Sequence, residues 1–199
     1  MKILLKIMFF SLLFSTSCRN KTTPFIAIPK TELLVNDSGF SWQQDKLFFK
    51  SKPYSGFTYE KYPNQKIATK NGYLNGKLEG KQEKWFENGV RMEVRFYSNN
   101  HKMGKHQGWY NNGSIRFEYF IDNDVPIKTH REWHPNGQLF TQFNFNQVGQ
   151  AEGAQQMWYP TGQIKANYVI KNGRRFGFLG AKGCMGENGK KLLGINFKK

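Results

Sequence analysis

Four tryptophans lead near-identical pentapeptides: Trp85-Phe86-Glu87-Asn88-Gly89, Trp109-Tyr110-Asn111-Asn112-Gly113, Trp133-His134-Pro135-Asn136-Gly137 and Trp158-Tyr159-Pro160-Thr161-Gly162, at intervals of 24, 24 and 25 residues. A fainter copy, Lys61-Tyr62-Pro63-Asn64-Gln65, lies another 24 residues upstream. Five positions before each lead residue a glycine recurs as Gly56, Gly80, Gly104 and Gly153, with Lys128 in its place once. A period of this length marks a stacked architecture, in which each unit needs its neighbours to bury its apolar face. The chain is therefore expected to fold as an array and not around one central core.

Each period carries a second turn, at Asn75-Gly76, Asn99-Asn100, Asn123-Asp124, Val148-Gly149 and Asn172-Gly173, the fourth displaced by the inserted residue. Two turns per period leave two short strands. Asn-Gly points to primed hairpin turns, because both residues tolerate positive φ. Between the turns, segments such as Val90-Arg91-Met92-Glu93-Val94-Arg95-Phe96 alternate with the period of two expected of a strand. An all-β fold follows, with little role for helix. Trp85, Trp109, Trp133 and Trp158, with Tyr110 and Tyr159 beside two of them, are expected to pack at equivalent heights along the stack. Such ring contacts add about 0.5–1.5 kcal/mol each beyond the area buried. Two uses stay open for these rings: packing alone, or an exposed row that binds a sugar or peptide. Neighbours on a strand face opposite ways, so one row can be core while the other is surface.

From about Gly56 to Gly177, the pattern aromatic-aromatic-x-Asn-Gly, a strand, then Asn-Gly-x-x-x-Gly resembles the bacterial variant of the MORN repeat. Lys52-Pro53-Tyr54-Ser55-Gly56-Phe57 resembles the usual entry into such arrays. The resemblance implies an elongated antiparallel sheet of β-hairpins used for binding or anchoring, with no catalytic residues to carry over. Proteins with this variant are commonly labelled antitoxin-type. Lys61, Gln65, Lys128, Val148 and Thr161 depart from the pattern.

Outside the repeats, Lys2 and Lys6 lead an apolar run from Ile7 to Phe14, followed by Ser15-Thr16-Ser17 and Cys18. This is signal-peptide architecture, and the run falls well short of the ~20 residues of a transmembrane helix. The cysteine resembles the lipidated residue of a bacterial lipoprotein, which implies an anchor in the lipid bilayer at the cell envelope. The expected organisation is a signal peptide over 1–17, an anchor and flexible tether over 18–38, repeats over 39–179 and a basic cap over 180–199. Residues 174–199 hold seven Lys or Arg and one Glu, and the whole chain carries a formal charge of +16. Such a surface attracts anionic lipid, acidic polysaccharide or an acidic protein. Nucleic acid is disfavoured for an exported chain.

Chemistry-bearing motifs are sparse. His130 and His134 are four residues apart, but four strand residues span about 13 Å, too far for one zinc ion. His101 and His106 flank a turn and are expected to be exposed. Cys184, beside Met185 among lysines, is a possible thiol or Cu(I) site, with an inert buried cysteine as the simpler reading. No cofactor or metal is expected. The sequence thus points to a non-catalytic, envelope-anchored interaction scaffold, with a toxin-neutralising partner protein and a thiol or copper-handling protein as alternatives.

Overall fold

The computed structural model describes residues 27–179, and all regular structure in them is β-strand. A short strand β1 (Glu32–Leu34) comes first. It is followed by a three-stranded sheet, β2 (Phe40–Gln43), β3 (Lys46–Phe49) and β4 (Lys52–Pro53). The array then runs through β5 (Gly56–Lys61), β6 (Ile67–Leu74), β7 (Lys77–Leu78), β8 (Gly80–Trp85), β9 (Arg91–Ser98), β10 (His101–Lys102), β11 (Gly104–Trp109) and β12 (Ile115–Asp122). It continues with β13 (Val125–Trp133), β14 (Leu139–Phe145), β15 (Ala151–Trp158), β16 (Ile164–Lys171) and β17 (Arg174–Phe178). From β5 onward the path is an antiparallel meander in sequence order, as the alternation and turn spacing require.

Two expectations need correction at the N-terminal end. Residues 32–34, assigned to the tether, form β1, which pairs with β5 in parallel, the one parallel pairing of the described residues. They are held because Leu33 packs on a cluster of Leu47, Tyr54 and Tyr73. Residues 40–53, assigned to the repeats, form the separate small sheet. Leu47 is 1% exposed, and burial pushes the Tyr73 hydroxyl up to about 12. Gly76 makes this docking possible: Leu47 donates its N–H to the Gly76 carbonyl at 2.8 Å, and a Cβ at Gly76 would lie 2.9 Å from the Leu47 oxygen. Elsewhere, substantial contacts run only between strands that neighbour each other, so the array is one layer thick.

The two turn sets differ. At the lead motif the Phe86 N–H donates to the Val90 carbonyl and the Gly89 N–H to the Phe86 carbonyl, both at 2.8 Å. Tyr62, Tyr110, His134 and Tyr159 begin the same arrangement. Only the final residue has positive φ, 88° at Gly89, so these are type I turns closed by a bulge. Gln65, which replaces that glycine, takes φ 67°. The second set is primed: φ is 51° and 82° at Asn75-Gly76, and positive at both central residues of the 99–100, 123–124 and 172–173 turns. The fourth turn is the exception. Asn146 N–H bonds to Gln150 O and Gly149 N–H to Asn146 O, which is the bulged form and accounts for the 25-residue interval.

The recurring glycine has a structural reason. Gly80, Gly104 and Gly153 have φ of 70°, 73° and 75° at a bulge, and Lys128 is forced to 60° in the same place. Across it, Phe120 pairs with Ile127 and Glu118 with Arg131, so one residue of β12 faces three of β13. A Cβ on Gly104 would meet nothing within 4 Å, so substitution there tests backbone conformation alone. Gly104→Ala should lose about 1 kcal/mol and Lys128→Gly gain up to about 1 kcal/mol in urea denaturation. A Gly104→Ala protein as stable as the parent would refute the assignment.

Candidate functional site

A one-layer sheet offers two faces, and the 24-residue period writes a column of side chains on each. On one face, two positions after the bulge residue, stand Thr58, Gln82, His106, His130 and Gln155. Three of them turn inward and donate to carbonyls beside the bulge. His106 Nε2 lies 3.1 Å from both the Phe96 and Met103 oxygens, and His130 Nε2 lies 2.8 Å from the Phe120 oxygen. Gln155 Nε2 lies 2.9 Å from the Asn144 oxygen. His106, expected to be exposed, is therefore 0% exposed, because the bulge opens a backbone gap that its ring fills. Burial holds the His106 imidazole below its usual range, outweighing the two carbonyls, and the charges of Arg95 and Lys102 act in the same direction. Burial likewise lowers His130, against the Phe120 and Ile127 carbonyls and Glu132. His101 is exposed as expected, with Nδ1 2.6 Å from an Asp124 oxygen.

The same face carries a run of rings that the tryptophan rhythm does not announce. Phe117 lies flat over Gly108, where a Cβ would sit 2.2 Å from its ring. It stacks on Tyr119 at 4.7 Å, which stacks on His130 at 4.9 Å, which meets Phe145 at 4.8 Å. The Tyr119 hydroxyl donates to Glu132, and burial together with that carboxylate raises its pKa. Burial pushes the neighbouring Glu93 carboxyl up, but the hydrogen bond and charge of Arg95, with Lys84 and Arg116, hold it below the usual range. Beside these rings lies a groove of about 440 Å³ lined by Tyr110, Arg116, Phe117, Glu132, Trp133 and His134.

The opposite face is polar. Gln107 donates to Glu118, Arg131 reaches Glu118 at 4.0 Å and donates to Gln142 at 2.8 Å, and Gln142, Gln156 and Asn167 continue the line. Each link is weak on its own, but the line crosses five consecutive strands from β12 to β16, with Gln107 beginning it on β11.

The sequence-predicted aromatics lie along the lead turns. Trp85, Trp109, Trp133 and Trp158 each form the last pair of a hairpin, directly after a register shift, and all are half-buried. They do not stack on one another. Successive tryptophans are two strands apart, about 10 Å, too far for ring contact. In three of the five units the residue after the lead position, Tyr62, Tyr110 or His134, bridges that gap instead. The Tyr62 hydroxyl donates to the Trp85 carbonyl and Tyr110 to the Trp133 carbonyl, both at 2.7 Å, and His134 Nε2 lies 3.1 Å from the Trp158 oxygen. Asn88 and Asn136 add side-chain bonds to Asn111 and Pro160 of the following turns. Of the six residues, Tyr110 and Trp133 come together at the groove. Tyr159 is 44% exposed, with Lys165 Nζ 5.7 Å from its ring centre. Cys18 and Cys184 lie outside the described residues. Among the described residues no three His, Cys, Asp or Glu side chains gather at metal-binding range. Glu83, Glu93 and Glu118 are paired with lysine or arginine and Glu132 accepts from Tyr119, so the arrangement offers ring faces and hydrogen-bonding groups for binding.

Phe86 occupies the bridging place without a hydroxyl. Phe86→Tyr should reach the Trp109 carbonyl and gain about 1 kcal/mol in thermal unfolding, while Tyr110→Phe loses about as much. The histidines carry a pH dependence. Their folded pKa values are depressed, so the unfolded chain binds more protons below about 6.5, and stability falls as pH drops from there towards the folded values. Gln155 already fills the equivalent place, so the double variant His106→Gln, His130→Gln should stay folded and lose most of that dependence. An unchanged slope of stability against pH between 7 and 5 in that variant would contradict it.

Comparison with known protein families fits this geometry. Residues 78–99, 128–147 and 151–172 match the family model described as MORN repeat variant. No curated protein matches the chain. The matched stretches lie on the second, fourth and fifth hairpins, and the third, over 104–122, has the same turn hydrogen bonds and register without being matched. The repeats at 78–99, 128–147 and 151–172 are thus similar to the MORN repeat variant, which supports the MORN-repeat family for this array of β-hairpins.

Proposed function

We propose that this chain is a non-catalytic scaffold, tethered to the bacterial cell envelope through lipidated Cys18, that lays its repeat array against an anionic surface of the envelope. MORN repeats generally serve as protein and membrane interaction modules. The observation that carries the proposal is the one-layer sheet: it leaves two regular side-chain faces available for contact, where a folded enzyme would enclose a reaction pocket. Without residues 1–17, which hold two lysines and no acids, the formal charge is +14, and it supplies attraction towards acidic head groups or polymers. A tether ahead of β1 lets the array reach the surface without becoming part of the bilayer.

Two measurements test this. Radiolabelled palmitate should be incorporated into the full-length chain in a bacterial host and not into Cys18→Ser. The chain beginning at Arg19 should co-sediment with phosphatidylglycerol vesicles and not with phosphatidylcholine vesicles, and should be released near 1 M salt, where the screening length falls to about 3 Å. Label that persists in the serine variant, or equal capture by neutral vesicles, would overturn the proposal.

A further inference from the structure

At the N-terminal end of the array the small sheet is clamped over two consecutive turns. Asp45 is the clamp. Its carbonyl accepts from the Asn100 side chain at 2.8 Å, and its carboxylate lies 3.7 Å from Lys77 Nζ. The small sheet thereby brings Lys46 to the edge of a cleft of about 1000 Å³ beside the turns at 75–76 and 99–100. Leu74, Phe96, Tyr97 and Met103 are the apolar residues of its lining. Three lysines belong to its lining, Lys46, Lys77 and Lys105, against one carboxylate residue, Glu79. Glu79 is occupied by the Asn99 N–H at 2.9 Å and the Ser98 hydroxyl at 3.3 Å. Lys77 faces Asp45, and Lys105 is bound to Glu118 at 2.7 Å. Lys46 has no ion-pair partner among the described residues. It stands against Gly76, where the absence of a side chain lets its Cβ approach the turn.

We propose that this cleft binds a small anionic amphiphile, its acidic head on Lys46 and its apolar body on Leu74, Phe96, Tyr97 and Met103. Size, apolar walls and one uncommitted cation are the features of a small-molecule site. The carboxylate in the lining is held by its own hydrogen bonds to Ser98 and Asn99, and the lysines of the lining outnumber it. The head group can belong to a free amphiphile or to a bilayer lipid, and the chemistry recognised is the same. The proposal is independent of the envelope-scaffold reading, since a free amphiphile would bind with no membrane present.

The probe is 1-anilinonaphthalene-8-sulfonate, an apolar ring system with one sulfonate, titrated against the chain beginning at Arg19. One saturable site is expected, displaced by dodecyl phosphate below its micelle concentration and not by the neutral dodecyl maltoside. Lys46→Glu should weaken binding about tenfold, the loss of one charge-assisted contact. Ser98→Trp, which fills the cleft from its edge, should abolish it. Lys50→Glu should not change it, because Lys50 lies over Phe49, outside the lining. Near-ultraviolet circular dichroism establishes that each variant is folded. Capture by phosphatidylglycerol vesicles that is lost in Ser98→Trp assigns the head group to bilayer lipid, and capture that is retained assigns the site to a free amphiphile. Folded Lys46→Glu and Ser98→Trp proteins that bind the probe like the parent, or equal displacement by the maltoside, would overturn the proposal.

Discussion

A sheet one layer thick has no interior, so its cohesion must come from bonds between one repeat and the next. In this chain those bonds recur at fixed places. Bridging rings reach from Tyr62, Tyr110 and His134 to the carbonyls of the following lead residues. At the opposite turns, Asn100 and Asp124 exchange two hydrogen bonds each with Leu78 and Lys102 of the preceding unit. Stability in such an array is nearly a sum of units and their interfaces. This is why the same few residue types must return every 24 positions, and why the buried apolar cluster of the described residues sits at one end, where the small sheet covers the first hairpin.

The bulge at the glycine positions couples local backbone chemistry to the character of the face. Positive φ there re-aims the strand and leaves carbonyls that need donors, and histidine or glutamine supplies them from within the sheet. The buried side chains at the bulges are therefore polar and hydrogen-bonded where a globular protein would be apolar. That leaves the rings from Phe117 to Phe145 and the line from Gln107 to Asn167 as recognition surfaces on opposite sides. The two ends also differ. The first hairpin is walled by the small sheet, whereas Phe176 and Phe178 on the last strand are more than half exposed.

Period, strand content and turn positions were legible in the sequence because they follow from local preferences: Asn and Gly for positive φ, and alternation for a half-buried strand. Even the inserted residue near Val148 pointed to an altered turn. The misread features depend on partners far along the chain. His106 looked like a turn residue because the bulge that buries it is made jointly by β9 and β11. The tryptophans looked like a stack because their even spacing says nothing of the second strand lying between them. Leu33 looked like tether because its packing partners are Leu47, Tyr54 and Tyr73, and Tyr54 is more than twenty residues away in a different sheet connection.

By itself the sequence determined that this protein is an array of β-hairpins, since a 24-residue rhythm of turn formers and alternating strands has no other way to pair its backbone. Only the tertiary structure decided which rings are buried, which histidine fills the backbone gap and where a cleft opens. Those outcomes arise from strands side by side, from the two-strand distance between equivalent residues, and from one non-repeating sheet folded back on the first turns. None of these is a property of any single segment of the chain.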